Sequence, residues 1–146
     1  MRRMTLLVLA AATLMAGCRS MESSRAMAPP SLYERLGGKP AITAVVDDFV
    51  GNVAADNRIN HRFGGTNLPR LKAMLVDQIC QASGGPCTYA GRTMRDAHTG
   101  MNITDAEFTA LVEDLVKSLD TFKVPAREKN ELLAALGGMK PEIVGK

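Results

Sequence analysis

Apolar side chains recur at helical spacing along three long stretches of the chain. From Lys39 to about Ala55 they recur every three or four residues behind Pro40, which is tolerated in a first helical turn. The same period follows the capping box Thr104-Asp105-Ala106-Glu107 as far as Phe122, and another apolar helix pattern runs from Val124-Pro125 to Gly137. The pattern therefore predicts a helix over each stretch.

Two further helices are marked by residues at their ends. The capping box Ser31-Leu32-Tyr33-Glu34 opens a short helix that stops at Gly37-Gly38. Thr66 or Asn67 can cap a longer helix with one apolar face, which ends at Gly84. Because strand signals and internal repeats are absent, the sequence predicts an all-α domain with four main helices.

Two stretches lack a helical period. Asp56 to Thr66 is predicted to be a loop, and Pro86 to Ile103 a long loop with at most one helical turn, around Met94 to His98. A plain helical bundle would not need the second stretch, and a loop of that length inside a compact domain usually has a function.

The first seventeen residues have a basic start and a short apolar run, which is typical of an export signal. Leu14-Met15-Ala16-Gly17-Cys18 resembles a bacterial lipoprotein signal, which implies a lipid on Cys18 and a protein anchored in the cell envelope. With Arg19 and Ser20 next, that resemblance favours the outer membrane, with the domain facing the periplasm. A buried first helix is the alternative. Residues 18–30 are predicted to be a flexible tether, and residues 31–146 the folded domain.

Composition and charge narrow the class of protein. The chain has 146 residues, of which 46% are hydrophobic, enough for one core and one domain. Loss of Arg2 and Arg3 with the signal lowers the formal charge from +3 to +1, so nothing argues for a nucleic-acid partner.

Cys80 and Cys87 flank the turn-forming residues Gly84, Gly85 and Pro86. Outside the cytoplasm they can form a disulfide, and two free thiols are the alternative. The Cys and His spacing of a zinc site and a Cys-x-x-Cys-His heme attachment are both absent.

His98 lies in the long irregular stretch, just before the helix that begins near Thr104. A neutral imidazole facing an apolar cleft is what a heme protein needs to hold its iron. Taken alone this signal is weak, since a lone histidine is more often structural.

A wider set of residues, from Leu32 to Met139, resembles a group I truncated hemoglobin, which is a two-over-two globin. The matching segments are Leu32 to Gly38, Val46 to Phe49, Phe63 to Asn67, Arg70 to Lys72 and Gly84 to Pro86, followed by Tyr89, Gly91, Met94, His98, Gly100 and Ile103.

The resemblance implies heme b with His98 as the proximal iron ligand and Phe63 on the heme face. Arg70, Lys72 and Tyr89 match positions near the heme propionates, although Arg70 and Lys72 can also be the solvated face of a helix. The rest of the implied pocket is apolar: Leu71, Leu75, Met94, Ile103, Phe108, Leu111 and Val112.

The chain departs from the family on the side where gas would bind. Val50, after Phe49, stands where many relatives have a tyrosine that donates to bound dioxygen, and Leu71, Met74 and Leu75 stand where others have glutamine or histidine. Loss of such donors weakens dioxygen binding by on the order of 1 to 3 kcal/mol, which predicts fast dissociation of dioxygen and ready oxidation of the heme to the ferric form. Gln78 either reaches inward as the remaining polar group of the distal pocket or faces solvent.

Two functions follow as expectations. The first is a heme protein of the envelope that binds diatomic gases (O2, NO, CO), in an oxygen-carrying or nitric-oxide-handling role. Nitric oxide dioxygenase activity would need an electron donor or reductase from outside the chain. The second is a six-coordinate heme with His98 and Met74 as ligands, used in electron transfer or redox sensing, although core packing is the more common role of a methionine.

Overall fold

The computed structural model describes residues 28–146, so the predicted signal, Cys18 and most of the predicted tether lie outside the described residues. The α-helices of the described part are α1 (Leu32–Arg35), α2 (Gly38–Ala55), α3 (Leu68–Ala82), α4 (Met94–His98), α5 (Asp105–Thr121) and α6 (Ala126–Gly137). Short 3-10 turns lie at Asn60–Phe63 and Lys140–Glu142. None of the described helices has the length and apolar character needed to span a bilayer.

The helix ends follow the capping signals of the sequence. In α1, Glu34 N donates to Ser31 Oγ while the Glu34 carboxylate accepts from Ser31 N, and Thr104 and Glu107 form the same reciprocal pair at α5. The α3 cap is Asn67, whose side-chain oxygen accepts from the Arg70 amide at 3.0 Å. Each cap pairs amides that a helix start leaves free, and so the sequence could locate these starts closely.

The core is built around α2, which packs on α3 along one side and on α5 along another. Its buried side chains are Ile42, Val45, Val46, Phe49, Val50 and Val53, at the spacing the sequence predicted. Leu119 of α5 and Leu132 of α6 are almost fully buried beside them. Burying a side chain of this size contributes about 1.5–3 kcal/mol, which makes apolar packing the main force that holds the helices together.

The chain beyond α6 adopts a structure that the sequence pattern did not predict. After the 3-10 turn Lys140–Glu142 it turns back, and Val144 forms a parallel β-bridge with Ile103, just before α5. This bridge is the one β-type pairing within residues 28–146. It brings the end of the described chain beside the segment that carries His98.

Cys80 and Cys87 form a disulfide with a Cα to Cα distance of 5.7 Å, which joins the end of α3 to the segment that leads to α4. The turn between them passes so close to its neighbours that a Cβ on Gly85 would lie 2.5 Å from the Tyr33 ring and 2.7 Å from Cys80 Sγ. A glycine is therefore needed there for the turn to close.

Candidate functional site

A cavity of about 640 Å³ lies between α2, α3 and the segment around α4. Its walls are mostly apolar and include most of the pocket residues proposed from the sequence. Those residues are Phe49, Val50, Phe63, Leu71, Met74, Leu75, Gln78, Tyr89, Met94, His98 and Leu111. Positions spread over more than sixty residues of the sequence therefore come together around one large cavity.

A second cavity, of about 150 Å³, shares part of this wall, including Leu75, Met94 and His98. It extends towards α5 and α6, where Phe108, Leu111 and Val112 line it. His98 and Leu111 thus border both cavities, while Phe108 and Val112 border only the smaller one.

A short hydrogen bond sets the chemistry of the His98 imidazole. His98 Nδ1 donates to the Met94 carbonyl oxygen at 2.7 Å, one turn earlier in α4. Because a carbonyl oxygen only accepts, the neutral ring carries its proton on Nδ1 and leaves a lone pair on Nε2. This tautomer is the one that ligates a metal through Nε2, and the carbonyl partner fixes the orientation of the ring.

Three of the proposed pocket residues line neither cavity. Arg70 is exposed at the start of α3, and Lys72 Nζ pairs with Asp47 Oδ1 at 2.8 Å, across to α2. Ile103 is buried, but against the end of the chain, in its bridge with Val144. The structure thus places Arg70 and Lys72 on the partly solvated outer surface of the helices.

Gln78 is half-buried and lines both cavities. Its Nε2 lies 3.3 Å from Met94 Sδ and 3.5 Å from Met139 Sδ. Thioether sulfurs accept hydrogen bonds only weakly, so this amide is held without a strong partner. It points inward, towards the α4 side of the cavity.

Tyr89 folds back over its own loop at the edge of the large cavity. Its hydroxyl donates to the Arg92 carbonyl at 2.9 Å, and its amide donates to Gln81 Oε1 at 2.6 Å. A Cβ on Gly91 would lie 2.3 Å from this ring, so glycine is required beneath it. The loop that leads to His98 is therefore held at both Cys87 and Tyr89.

Arg62 anchors the 3-10 turn that carries Phe63. It donates to Glu107 Oε1 at 2.7 Å and to the Met101 carbonyl at 2.8 Å, bridging this turn to the chain after His98. The hydrogen bond from Arg62, with those from Thr104, lowers the pKa of the Glu107 carboxyl to about 2. The carboxylate therefore stays charged at neutral and mildly acidic pH and keeps the bridge intact.

Sequence reasoning missed several residues that line the cavities. Arg62, Arg92 and Met101 contribute to the large one, and Met139 and Ile143 to the small one. The signal for Arg92 was its position six residues before His98, in the irregular stretch. No Asp or Glu of residues 28–146 lines either cavity, so the charged groups in the lining are cationic.

The chain is similar in sequence to a known family over nearly all of this domain. A family model described as "Bacterial-like globin" matches residues 31–144. Group 1 truncated hemoglobin GlbN of Mycolicibacterium paratuberculosis is 37% identical over 115 residues, which span 79% of this chain and 85% of that protein. Group 1 truncated hemoglobin of Tetrahymena pyriformis is 33% identical over 118 residues, which span 81% of this chain and 98% of that protein.

Solved structures agree with the sequence matches. The crystal structure of truncated hemoglobin from Tetrahymena pyriformis, in its Fe(III) form, superposes with a TM-score of 0.78 at 32% identity, covering 80% of this chain and all of that one. The 2/2 hemoglobin of Synechococcus sp. PCC 7002, in the cyanomet state with covalently attached heme, gives 0.70 at 36% identity, covering 74% and 91%. The predicted all-α, two-over-two fold is confirmed.

Proposed function

Since the chain belongs to the bacterial-like globins, and among them to the group 1 truncated hemoglobins, we propose that it holds heme through His98 and binds small diatomic gases. The observation that carries this proposal is the His98 ring, whose Nε2 keeps its lone pair while the ring lines the cavity of about 640 Å³. The cofactor proposed is heme b, iron protoporphyrin.

The residues present fit such a group. The volume of about 640 Å³ lies within the range of roughly 300–1,000 Å³ that is usual for cofactor sites. Its walls are predominantly apolar, as a porphyrin ring requires. Arg92 is in the lining, and its guanidinium suits the carboxylates that protoporphyrin carries, whereas the lining residue Arg62 is already paired with Glu107.

Each wall has a part in holding the group. His98 would ligate the iron, while Phe63, Leu75 and Leu111 would pack on the ring. Arg92, which is exposed, would reach the carboxylates at the cavity edge. Heme held there would supply an iron that can bind O2, NO or CO.

The gas preference follows from the apolar wall opposite α4. Val50 is buried, and Leu71, Met74 and Leu75 complete a surface with no hydrogen-bond donor on these four side chains. Dioxygen depends on such a donor more than carbon monoxide or nitric oxide does. We therefore propose weak dioxygen retention and more secure binding of the other two gases. Nitric oxide dioxygenation would need an external electron donor at each turnover, so ligand binding is the function proposed.

Met74 supports a second candidate function. It is half-buried in the same cavity wall as His98, so its thioether is available to the space that the iron would occupy. Ligation by Met74 would close the open position and raise the heme potential, which suits electron transfer or redox sensing.

The visible spectrum of the full chain with heme, first ferric and then ferrous, separates these functions. Gas binding predicts a five-coordinate ferrous spectrum that is lost in His98→Ala and unchanged in Met74→Leu. A low-spin ferrous spectrum that disappears in Met74→Leu would favour electron transfer instead. Absence of heme uptake by the wild type would contradict both.

The proposed location is the cell envelope, with a lipid on Cys18 and the domain facing the periplasm from the outer membrane. Support comes from the pattern of residues 1–20 alone. In a Gram-negative bacterial host, the wild type should fractionate with outer membranes and Cys18→Ser should not. Recovery of the wild type from the cytoplasm with its first seventeen residues intact would contradict this location.

A further inference from the structure

The helix that carries His98 is too short to hold its own position. α4 spans only Met94–His98, and helices of this length are not stable without tertiary contacts. The chain after it, which contains Gly100 at φ +84° and Asn102 at φ +49°, is not helical and cannot extend it. The placement of His98 must therefore come from whatever packs against α4.

The described element that packs most closely on α4 is the 3-10 turn Lys140–Glu142 near the end of the chain. We call residues 138–146 the C-terminal strap. Its backbone is bonded to the segment after His98 at two points, where Gly145 N donates to the Ile103 carbonyl at 2.9 Å and Asn102 N donates to the Lys146 carbonyl at 2.7 Å. The second bond pairs the amide of a residue in the left-handed region and helps to keep it there.

Charged side chains of the strap reach both sides of His98. Glu142 accepts from Arg95 of α4 through both carboxylate oxygens, at 3.0 and 3.3 Å. Lys140 Nζ lies 2.5 Å from Asp105 Oδ1 and 5.5 Å from the centre of the Phe108 ring, in the first turn of α5. The strap thus spans the irregular chain between α4 and α5.

Two apolar side chains of the strap line the same cavity as the histidine. Met139 and Ile143 line the 150 Å³ cavity that His98 also borders, and Ile143 is 9% exposed. Met139 Sδ also contacts Gln78 Nε2 of α3, at 3.5 Å. Any movement of α4 away from the large cavity would have to displace these side chains.

We propose that the C-terminal strap positions His98, with Glu142 and Ile143 as its positioning residues. It holds α4 against the cavity, so that the direction of Nε2 is set by residues more than forty positions later in the chain. The inference rests on the proposed function in one respect, that the iron is held by His98. The restraint on α4 itself is a property of the heme-free chain.

The test uses variants of the full chain. Glu142→Gln and Ile143→Ala are each made alone. Arg95→Glu and Glu142→Arg, which exchange the two charges of the ion pair, are made singly and together. Glu113→Gln is the matched control, since it removes an exposed pair with Arg58 in the middle of α5, eight residues along the helix from Asp105, the partner of Lys140. The readouts are amide exchange at residues 95–101 without heme, and the ferrous iron–histidine stretching band and rate of heme loss with heme.

Glu142→Gln should speed amide exchange in α4 and heme loss about two- to fivefold, as expected for one exposed pair. Ile143→Ala should speed both on the order of tenfold or more. Both variants should shift the iron–histidine band. The amide exchange of α2 should be unchanged in Glu142→Gln. The double variant with the two charges exchanged should restore the wild-type values.

The proposal would be overturned if Glu142→Gln and Ile143→Ala, like Glu113→Gln, kept the wild-type rate of amide exchange in α4 and the wild-type iron–histidine band. Failure of the wild type to take up heme, or an unchanged spectrum in His98→Ala, would instead contradict the proposed function. Amide exchange in the heme-free chain would then still decide whether the strap restrains α4.

Discussion

One backbone oxygen gives His98 its chemical character. The bond from Nδ1 to the Met94 carbonyl fixes the proton on one nitrogen and frees the other for the cavity. Opposite it, Val50 is 5% exposed and offers no hydrogen-bond donor. Under the proposed function, His98 would hold the iron, and the apolar wall would limit how long a polar gas remains.

A donor placed at Val50 should lengthen the residence of dioxygen. Val50→Tyr adds a hydroxyl to the wall of a cavity that has room for the ring, and it should slow dioxygen dissociation about tenfold to hundredfold. Stopped-flow measurement of the dissociation rate checks this, with Val50→Phe as the control of similar size. Equal rates in both variants would argue that the hydroxyl does not reach the gas.

Asp114 is buried on α5 with Oδ2 unpaired, close to Asp56. Burial, followed by the charge of Asp56, raises the pKa of the Asp114 carboxyl above its usual 3.8. Because folding raises this pKa, the folded state binds the proton more tightly than the unfolded chain does. The stability that this proton contributes is fully present below the pKa of the unfolded chain, and it is lost as pH rises through the pKa of the folded state.

Asp114→Asn should therefore flatten the pH dependence of the free energy of unfolding above pH 4 and should not lower stability at pH 7. Urea unfolding at several pH values between 4 and 7 measures this dependence. A wild-type slope in Asp114→Asn would show that another group titrates.

The segment between α3 and α4 is held by cross-links rather than by helical structure. Its start is bonded through Cys80 and Cys87, and Tyr89 bonds back to Gln81 at the end of α3. Without these contacts the segment would have many conformations available, and the position of α4 would vary with them. The disulfide thus connects α3, which forms one wall of the cavity, to the helix that carries His98.

Removal of the disulfide should weaken the fold by roughly 2.5 kcal/mol, the loop-closure value for a ring of this size. We expect this loss in urea unfolding of the double variant Cys80→Ala with Cys87→Ala. Reductant should produce a comparable loss in the wild type and no further loss in the variant. Equal unfolding midpoints for oxidised and reduced wild type would contradict a stabilising role.

A domain with a cavity of about 640 Å³ beside its core should gain stability when the cavity is filled. A ligand that binds only the folded chain stabilises it by about 2.7 kcal/mol at a free concentration one hundred times its Kd. Heme should therefore raise the thermal midpoint of the full chain in a concentration-dependent way. His98→Ala should show a smaller rise, and equal midpoints with and without heme would contradict the proposed site.

The main helices could be predicted because their determinants are local. The apolar spacing of α2 and α5, and the capping boxes at Ser31 and Thr104, act between residues three or four positions apart. His98 was found through the irregular stretch around it and through resemblance. The determinants of the helices are present in the chain before it folds, so the helices and the fold class could be predicted from the sequence, while the cavity residues were proposed from the resemblance.

Contacts between distant residues were decided only in the folded molecule. Cys80 and Cys87 left two alternatives open, and only the turn between α3 and α4 brings them to bonding distance. Lys72 pairs with Asp47 because α2 and α3 are adjacent, and Glu142 reaches Arg95 because the strap turns back beneath α4. These positions depend on how the helices pack together, because the free energy of each contact arises between groups that no local pattern relates.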